Sequence, residues 1–338
     1  MITPSNSALT RARLRPGLRN ALPPRAAPHR LVGTVVASLL LLGLPVLAPI
    51  ANGATRPFAA TSPFNIRIKA APALDSNSAA MIARAARRDA LYANLYAYGI
   101  PIYTAGASTP RYRVTCAMEG QWGNCPLSQR PMPIPVGAKP STGSDGVLTV
   151  IDPSTNTIGE YWQAVKTCGT WNASWGAVNL LTGSGWGGGS TGAGASRLAG
   201  VIRVSEIESG VIDHALVLQS DNMCTGVVRP PALKTDGTSA RSDCIPAGSR
   251  LQLNPSVNLS AIKGLTPAER TVARALQTYG GYLIDRGGAS LSVSFERAPD
   301  AGSNSTGSVY TKAGLSWDYF GMSRVPWERL RVLKTWQG

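Results

Sequence analysis

Residues 200–218 constrain the fold of this chain more than any other segment. Their sequence reads as a short helix, a glycine that stops it, and an apolar run that includes His214. Side chains alternate along a strand, so a strand over residues 211–218 places His214 on the buried face and Asp213 on the opposite one. The segment therefore predicts a buried strand that follows a short helix.

Three segments carry helix signals. Residues 75–98 have apolar side chains at roughly helical spacing. Ser205 and Glu208 fit a capping box, in which a hydroxyl and a carboxylate satisfy free amides at a helix start, and Thr266 and Glu269 fit a second one. These signals predict two or three short helices.

Short strand signals separated by turn residues fill most of the remaining chain. Hairpins are predicted around residues 153–156 and 286–288. Charged residues make up only 15% of the chain, whereas it has 36 glycines and 25 prolines, a balance that suits strands joined by turns. The sequence predicts a mainly β fold, namely a β-sandwich or jelly-roll-like single domain with two or three accessory helices.

The N-terminal residues have the pattern of an export signal. Residues 1–30 are basic, residues 31–48 are apolar, and small residues follow. This order predicts a secretory signal peptide or an N-terminal membrane anchor over residues 1–54. Contact with a membrane is expected only through residues 31–51, and only if the signal is not cleaved. Residues 55–338 then form the exported β-rich domain, in a secreted or extracytoplasmic location.

Three parts of that domain are expected to differ from its body. Residues 55–74 predict an extended arm, residues 299–308 are linker-like, and residues 309–338 keep tryptophans and are expected to pack back on the core.

All five cysteines follow the apolar run, which agrees with an oxidising compartment. The short spacings predict disulfides that close local loops, Cys116–Cys125 and Cys224–Cys244. Cys168 is left over, and we expect it to be free and buried.

Net charge is +15, and six of the 33 basic residues lie in residues 1–30, which leaves 27 basic and 18 acidic residues beyond them. This moderate positive charge favours anionic partners. No nucleic-acid motif is present, so we expect a polysaccharide or envelope polymer as the partner and no nucleic acid. With one histidine in the exported part, we expect neither a metal nor a cofactor.

Several segments come in the same order and spacing as in a known family. They include IDHAL at residues 212–216 and ALQTYGGYLIDRGG at residues 275–288. In these segments the chain resembles a family of secreted bacterial β-rich proteins of uncharacterised function. The resemblance implies an all-β, sandwich-like body with accessory helices, and it brings no reaction with it. Its His214 segment is similar to polysaccharide-processing sandwiches. The other segments lie at residues 62–65, 150–153, 161–164, 236–237 and 326–333.

Three chemistries compete if the protein is an enzyme. A serine hydrolase is disfavoured because the chain has no GxSxG element. A glycoside hydrolase needs two carboxylates across a cleft. The carboxylates considered for that role are Glu160, Glu206, Asp213, Asp236 and Asp285.

A polysaccharide lyase is the third chemistry, and it needs a base and groups that hold the carboxylate of a uronate. His214, Tyr279 or Tyr282 is the candidate base, and Arg203 or Gln219 the neutralising group. A lone histidine on a buried strand is also often an ordinary core residue. The catalytic candidates are therefore His214, Glu206, Asp213, Tyr282 and Arg203.

Tryptophans near loops are the other functional signal. Trp162, Trp171, Trp175 and Trp186 are candidate substrate-binding residues, together with Gln219, since indole faces stack on sugar rings. Core packing is the alternative role for them. The sequence thus favours an exported carbohydrate-active protein that binds a polysaccharide. Cleavage of that polysaccharide is one extension of this hypothesis, and an anionic polysaccharide is another. The alternative is a non-catalytic cell-envelope or adhesion module.

Overall fold

Strands dominate residues 56–87 and 91–335, which are the parts of the chain that the computed structural model describes. These residues form seventeen strands in five sheets, together with four α-helices. The mainly β architecture with accessory helices is therefore confirmed. The predicted signal peptide or anchor, residues 1–54, lies outside the described residues.

The helices are short, and none of the strands exceeds six residues. The helices are α1 (Ser78–Ala85), α2 (Val204–Ser209), α3 (Pro267–Thr278) and α4 (Ser308–Lys312). The strands are β1 (Leu91–Asn94), β2 (Ile102–Thr104), β3 (Arg111–Tyr112), β4 (Val114–Cys116), β5 (Met132–Pro133), β6 (Leu148–Asp152), β7 (Thr157–Trp162), β8 (Val165–Thr167), β9 (Thr170–Ala173), β10 (Trp175–Leu180), β11 (Leu216–Ser220), β12 (Met223–Val228), β13 (Ile245–Ala247), β14 (Arg250–Leu253), β15 (Gly281–Arg286), β16 (Leu291–Ser294) and β17 (Leu330–Val332).

The largest sheet is mixed and has six strands in the order β1-β16-β11-β15-β14-β17. Strand β11 pairs parallel with β15 and antiparallel with β16. The hairpin predicted around residues 286–288 is therefore wrong: both of its strands exist, but β11 lies between them. A turn motif reports only local geometry, and it does not show whether a distant strand enters the space between its arms.

The four-stranded sheet, in the order β10-β7-β6-β2, contains the hairpin predicted around residues 153–156. Asp152 pairs with Thr157 at its tip, which confirms that prediction. Neighbouring residues of β6 face two different hydrophobic clusters. Val150 belongs to a smaller cluster, whereas Ile151 packs against the main core. This sheet therefore has a hydrophobic cluster on each face.

Residues 75–98 form a shorter helix than predicted. Helix α1 ends at its eighth residue, and β1 follows, pairing parallel with β16. Leu91 and Ala93 are buried while their neighbours are half-buried, so the strand alternates with a period of two. Pairing with β16 outweighs the weak helical propensity of the segment. After the strand, the Asp318 carboxylate accepts hydrogen bonds from three successive amides at 2.8–3.1 Å.

The predicted capping box of Ser205 and Glu208 is wrong. Helix α2 begins at Val204, and the Glu206 carboxylate accepts the hydrogen bond from the amide of Arg203 at 2.8 Å. The sequence pattern identifies the residue types of a capping box. Which glutamate accepts the capping hydrogen bond depends on which side chain can reach the free amide at the helix start. The second capping box is confirmed by the reciprocal bonds between Thr266 and Glu269 at the start of α3.

The strand predicted over residues 211–218 begins later, because β11 covers Leu216–Ser220. The residues before it contact the N-terminal arm instead of a neighbouring strand. The amide of Ala215 donates to the carbonyl of Phe64 at 2.7 Å, and the Phe64 ring is almost fully buried. The arm therefore supplies the backbone partner that a strand would otherwise provide.

Both predicted disulfides are present, Cys116–Cys125 and Cys224–Cys244. They indicate an extracytoplasmic, oxidising environment. Cys168 is free as expected, but it is exposed rather than buried, because it lies in the turn between β8 and β9. No helix within the described residues is long and apolar enough to span a membrane.

Candidate functional site

A cavity of about 1130 Å³ is lined by residues of both large sheets and of the loops between them. Ligand pockets for single small molecules have volumes of about 300–1,000 Å³. This cavity has room for several linked units of a polymer.

An indole cluster of Trp122, Trp162 and Trp175 forms one wall. The rings of Trp122 and Trp162 are stacked with centroids 5.9 Å apart, and Trp175 meets Trp122 edge-on at 5.8 Å. Trp122 is 53% exposed, which is unusual for so large an apolar ring. It lies within the loop closed by the Cys116–Cys125 disulfide, which ties its backbone to β4.

A second aromatic group lines the same cavity. The Tyr319 ring contacts those of Tyr92 and Tyr98, with centroids 6.0 and 6.3 Å apart, and Trp317 is 53% exposed. Asp318 lies between Trp317 and Tyr319 in the sequence, and its carboxylate accepts hydrogen bonds from the backbone after β1. These bonds fix the loop that carries the two aromatic residues against the six-stranded sheet. The cavity therefore has aromatic surface from two separate parts of the chain.

Two carboxylates meet at one glycine on the cavity floor. Asp285, at the end of β15, accepts a short hydrogen bond from the amide of Gly192 and forms an ion pair with Arg197 at 3.0 Å. Asp236 packs against the α-carbon of the same glycine, and its Oδ1 accepts from the amide of Arg286 at 3.0 Å. The backbone thus orients both carboxylates.

The environments of these two carboxylates differ. Burial raises the pKa of Asp285 to about 6; the positive charge of Arg197 opposes that effect, and the negative charges of Asp236 and Asp145 add to it. Asp236 itself is exposed. Asp285 therefore changes its protonation state between weakly acidic and neutral pH.

Buried Glu160 holds the glycine-rich segment, residues 183–196, that supplies part of the floor. Its carboxylate accepts from the amide and hydroxyl of Ser190 at 3.3 and 3.0 Å, from Asn179 at 2.9 Å, and from the hydroxyl of Ser196. Burial raises the pKa of Glu160. This carboxyl is enclosed, so its role is to position the segment and not to meet a ligand.

Gln219 is the one sequence-predicted polar binding residue that lines the cavity. It lies on β11 and is held by two serines of β16, donating to Ser294 at 2.8 Å and accepting from Ser292 at 2.9 Å. Both side-chain atoms are therefore engaged, and Gln219 presents a fixed edge to the cavity.

His214 lies away from this cavity, beside a void of about 30 Å³. Its Nε2 is 3.0 Å from a carboxylate oxygen of Glu206, and its Nδ1 is 2.9 Å from the carbonyl of Ala215. Burial on its own lowers the pKa of His214, but the hydrogen bond and charge of Glu206 outweigh it, so the pKa is raised. Both ring nitrogens have acceptors, which leaves neither free to act as a base on a substrate.

The other catalytic candidates also have structural partners outside the cavity. Arg203 forms an ion pair with Glu296 at 2.9 Å, and half-exposed Asp213 lies 3.4 Å from Arg56. Tyr282 is buried in the main core, where burial raises its pKa far above the ordinary value. The sequence suggested these residues for catalysis, but none of them lines the cavity.

Two of the four predicted tryptophans pack in or against the hydrophobic clusters and do not line the cavity. Trp171 is 2% exposed within the smaller hydrophobic cluster. Trp186 stacks on Phe64 with centroids 5.4 Å apart and meets Tyr282 edge-on. Proximity to loops in the sequence does not separate these two from Trp162 and Trp175, which do line the cavity.

Several cavity residues were missed by sequence reasoning, although the sequence contains a signal for one of them. Trp122 lies between two cysteines that form a local disulfide. A large aromatic residue in a short loop that a disulfide closes is held in place at the surface, which favours a binding role. No comparable signal marks Asp145, Arg197 or Tyr319.

Comparison of the chain with protein-family models, with curated proteins and with solved structures finds no match. The family resemblance inferred from the sequence segments therefore stays a prediction. Within residues 56–87 and 91–335, no cluster of histidine, cysteine or acidic side chains has the arrangement of a metal site.

Proposed function

We propose that this protein is an exported carbohydrate-binding protein whose cavity holds a segment of a polysaccharide chain. The half-exposed ring of Trp122 carries this proposal, because an indole held open to solvent in a cavity is suited to stacking on the C–H face of a sugar. Trp317 and Tyr319 offer a second stacking surface. The volume of the cavity suits more than one sugar unit.

The charges at the cavity favour a chain with acidic groups. Lys234 and Arg286 line it, and neither side chain makes a hydrogen bond or ion pair with another described residue. The negative charges of the floor lie on Asp285 and Asp236, which the backbone holds at Gly192. Cations at one position and carboxylates at another suit a polymer whose acidic substituents recur at intervals.

Affinity gel electrophoresis tests this proposal with four soluble chains, namely polygalacturonate and alginate as anionic probes and dextran and hydroxyethylcellulose as neutral ones. We expect at least one anionic chain to retard the protein, less so at high salt because screening weakens exposed charge contacts. We expect Trp122→Ala to weaken that retardation by about tenfold in affinity, or about 1.4 kcal/mol.

Leu180→Ala is the matched control, because Leu180 is an exposed apolar side chain outside the cavity. It should migrate like the wild type in every gel. If no chain retards the protein, or if Trp122→Ala binds as well as the wild type, the proposal is wrong.

A further inference from the structure

The arrangement of Asp285 and Asp236 goes beyond what binding requires. Both carboxylates contact Gly192, and the charge of Asp236 acts on Asp285, so the two lie close together. Glycosidases use two carboxylates about 5–10 Å apart across a cleft. Asp285 and Asp236 line a cavity whose exposed indoles suit a sugar chain. Binding of a sugar chain needs no pair of carboxylates whose environments differ, whereas acid and base catalysis does.

The two carboxylates also differ in the way that acid and base partners differ. Asp285 is 14% exposed, and its burial raises its pKa to about 6; the charges of Asp236 and Asp145 add to this effect, and that of Arg197 opposes it. Asp236 lines the same cavity but is exposed to solvent. Environments that separate the protonation of two neighbouring carboxyls assign one the acid role and the other the base role.

We propose that this cavity is a glycosidase active site in which Asp285 is the general acid and Asp236 the general base. In the reaction, the bond between the anomeric carbon and the glycosidic oxygen breaks, and its electron pair stays on that oxygen. The oxygen takes the proton of Asp285. A water oxygen bonds to the anomeric carbon, and its proton goes to Asp236. The sum is the addition of one water across the linkage.

Arg197 and Gly192 are positioning residues in this scheme. Arg197 lies 3.0 Å from Asp285 and also donates to the carbonyl of Ser190 at 2.8 Å, so it links the acid to the glycine-rich segment. Its Nε is buried without a hydrogen-bond partner among the described residues. Gly192 holds one carboxylate through its amide, and its missing side chain leaves room for the other.

Hydrolysis fits this site better than elimination. None of the three bases that the sequence suggested for a lyase, His214, Tyr279 and Tyr282, lines the cavity. A hydrolase leaves a new reducing end that carries oxygen from water, whereas a lyase leaves an unsaturated sugar. The product therefore distinguishes the two reactions.

The inference rests on the proposed function, and the experiment keeps the two separable. Each of the four chains used in the gels is incubated with wild-type protein in ¹⁸O-labelled water between pH 4 and 8, and products are analysed by mass spectrometry. We expect reducing ends that carry ¹⁸O from a chain that retards the protein. The rate should fall as the pH rises through about 6, because Asp285 then loses its proton.

Asp285→Asn and Asp236→Asn are each expected to lower this rate by about 10²–10⁴-fold while gel retardation is kept. Asp213→Asn is the matched control, since this half-exposed carboxylate lies outside the cavity and should leave the rate unchanged. Retardation without cleavage, an unsaturated product, or full activity in Asp285→Asn overturns the inference alone. Absence of any retardation overturns the proposed function and the inference with it.

Discussion

A β-carbon on Gly192 would lie 2.2 Å from the Oδ1 atom of Asp236. Contact at that distance is far closer than van der Waals packing allows, so this carboxylate and a side chain at Gly192 exclude each other. Asp236 is exposed and its carboxylate is the end of a rotatable side chain, so it is the group that moves. The glycine therefore matters for the placement of Asp236 more than for the fold.

We expect Gly192→Ala to lower cleavage of a retarding chain by about 10²-fold, the lower end of what one general acid or base supplies. The melting temperature should stay within a few degrees of the wild type. Gly288→Ala is the matched control, because Gly288 lines the same cavity and a β-carbon there meets nothing within 4 Å. Equal losses in the two variants would contradict this account of Gly192.

The loop that carries Trp122 gives a second prediction. The disulfide Cys116–Cys125 joins residues nine positions apart, and we expect the double variant Cys116→Ser/Cys125→Ser to lower the free energy of unfolding by about 2–4 kcal/mol. Retardation in affinity gels should fall as in Trp122→Ala, because the indole is no longer held in the cavity. Calorimetry and gels measure the two effects.

Cys168→Ser is the control for that variant, since Cys168 is free and exposed in a turn. It should change neither stability nor binding. If the double variant loses stability and yet binds as well as the wild type, the disulfide does not position Trp122.

Local patterns in the sequence predicted those parts of the fold that depend on nearby residues. The capping box of Thr266 and Glu269 and the hairpin at residues 153–156 each join groups a few positions apart, and both are confirmed. The insertion of β11 between β15 and β16 depends on pairing across more than 60 residues. No periodicity or turn motif reports such a pairing.

The site was harder to predict than the fold, for the same reason. Residue type alone suggested five residues that line the cavity, namely Trp162, Trp175, Gln219 and two of the five candidate carboxylates, Asp236 and Asp285. His214 was a candidate because it is the single histidine of the exported part, but its side chain is bound by Glu206 of the preceding helix, α2. Asp285 and Asp236 come together only through Gly192, which carries no side chain that could have marked the place.

The His214–Glu206 pair predicts a pH-dependent contribution to stability. The pKa of His214 is raised above its ordinary value of 6.5, so the stabilisation is fully present below pH 6.5 and is lost as the pH rises through the pKa of the folded protein. We expect Glu206→Gln to lower the free energy of unfolding by about 3 kcal/mol at pH 5.5. Glutamine keeps the capping bond to Arg203, so the loss belongs to the pair.

Urea unfolding between pH 5 and 9 measures this difference, which should narrow at the alkaline end. Retardation by polysaccharide should be unchanged in the variant, because Glu206 lies outside the cavity. A stability difference that is constant across this range would show that His214 does not titrate as the pair requires.

The pKa of Asp285 is also raised in the folded protein, and it connects stability with activity. Its pKa is about 6 in the folded protein and 3.8 ordinarily, so the folded state binds the proton more tightly, and stability falls as the pH rises from about 4 to about 6. Above that range the ionised carboxylate destabilises the fold by up to about 3 kcal/mol, since one pKa unit corresponds to about 1.4 kcal/mol.

Asp285→Asn mimics the neutral form and should raise the melting temperature at pH 8 but not at pH 4. Differential scanning calorimetry at the two pH values measures the change. A variant that is less stable than the wild type at pH 8 would mean that the ion pair with Arg197 outweighs burial, and that Asp285 stabilises the floor as an ion instead of serving as a proton donor.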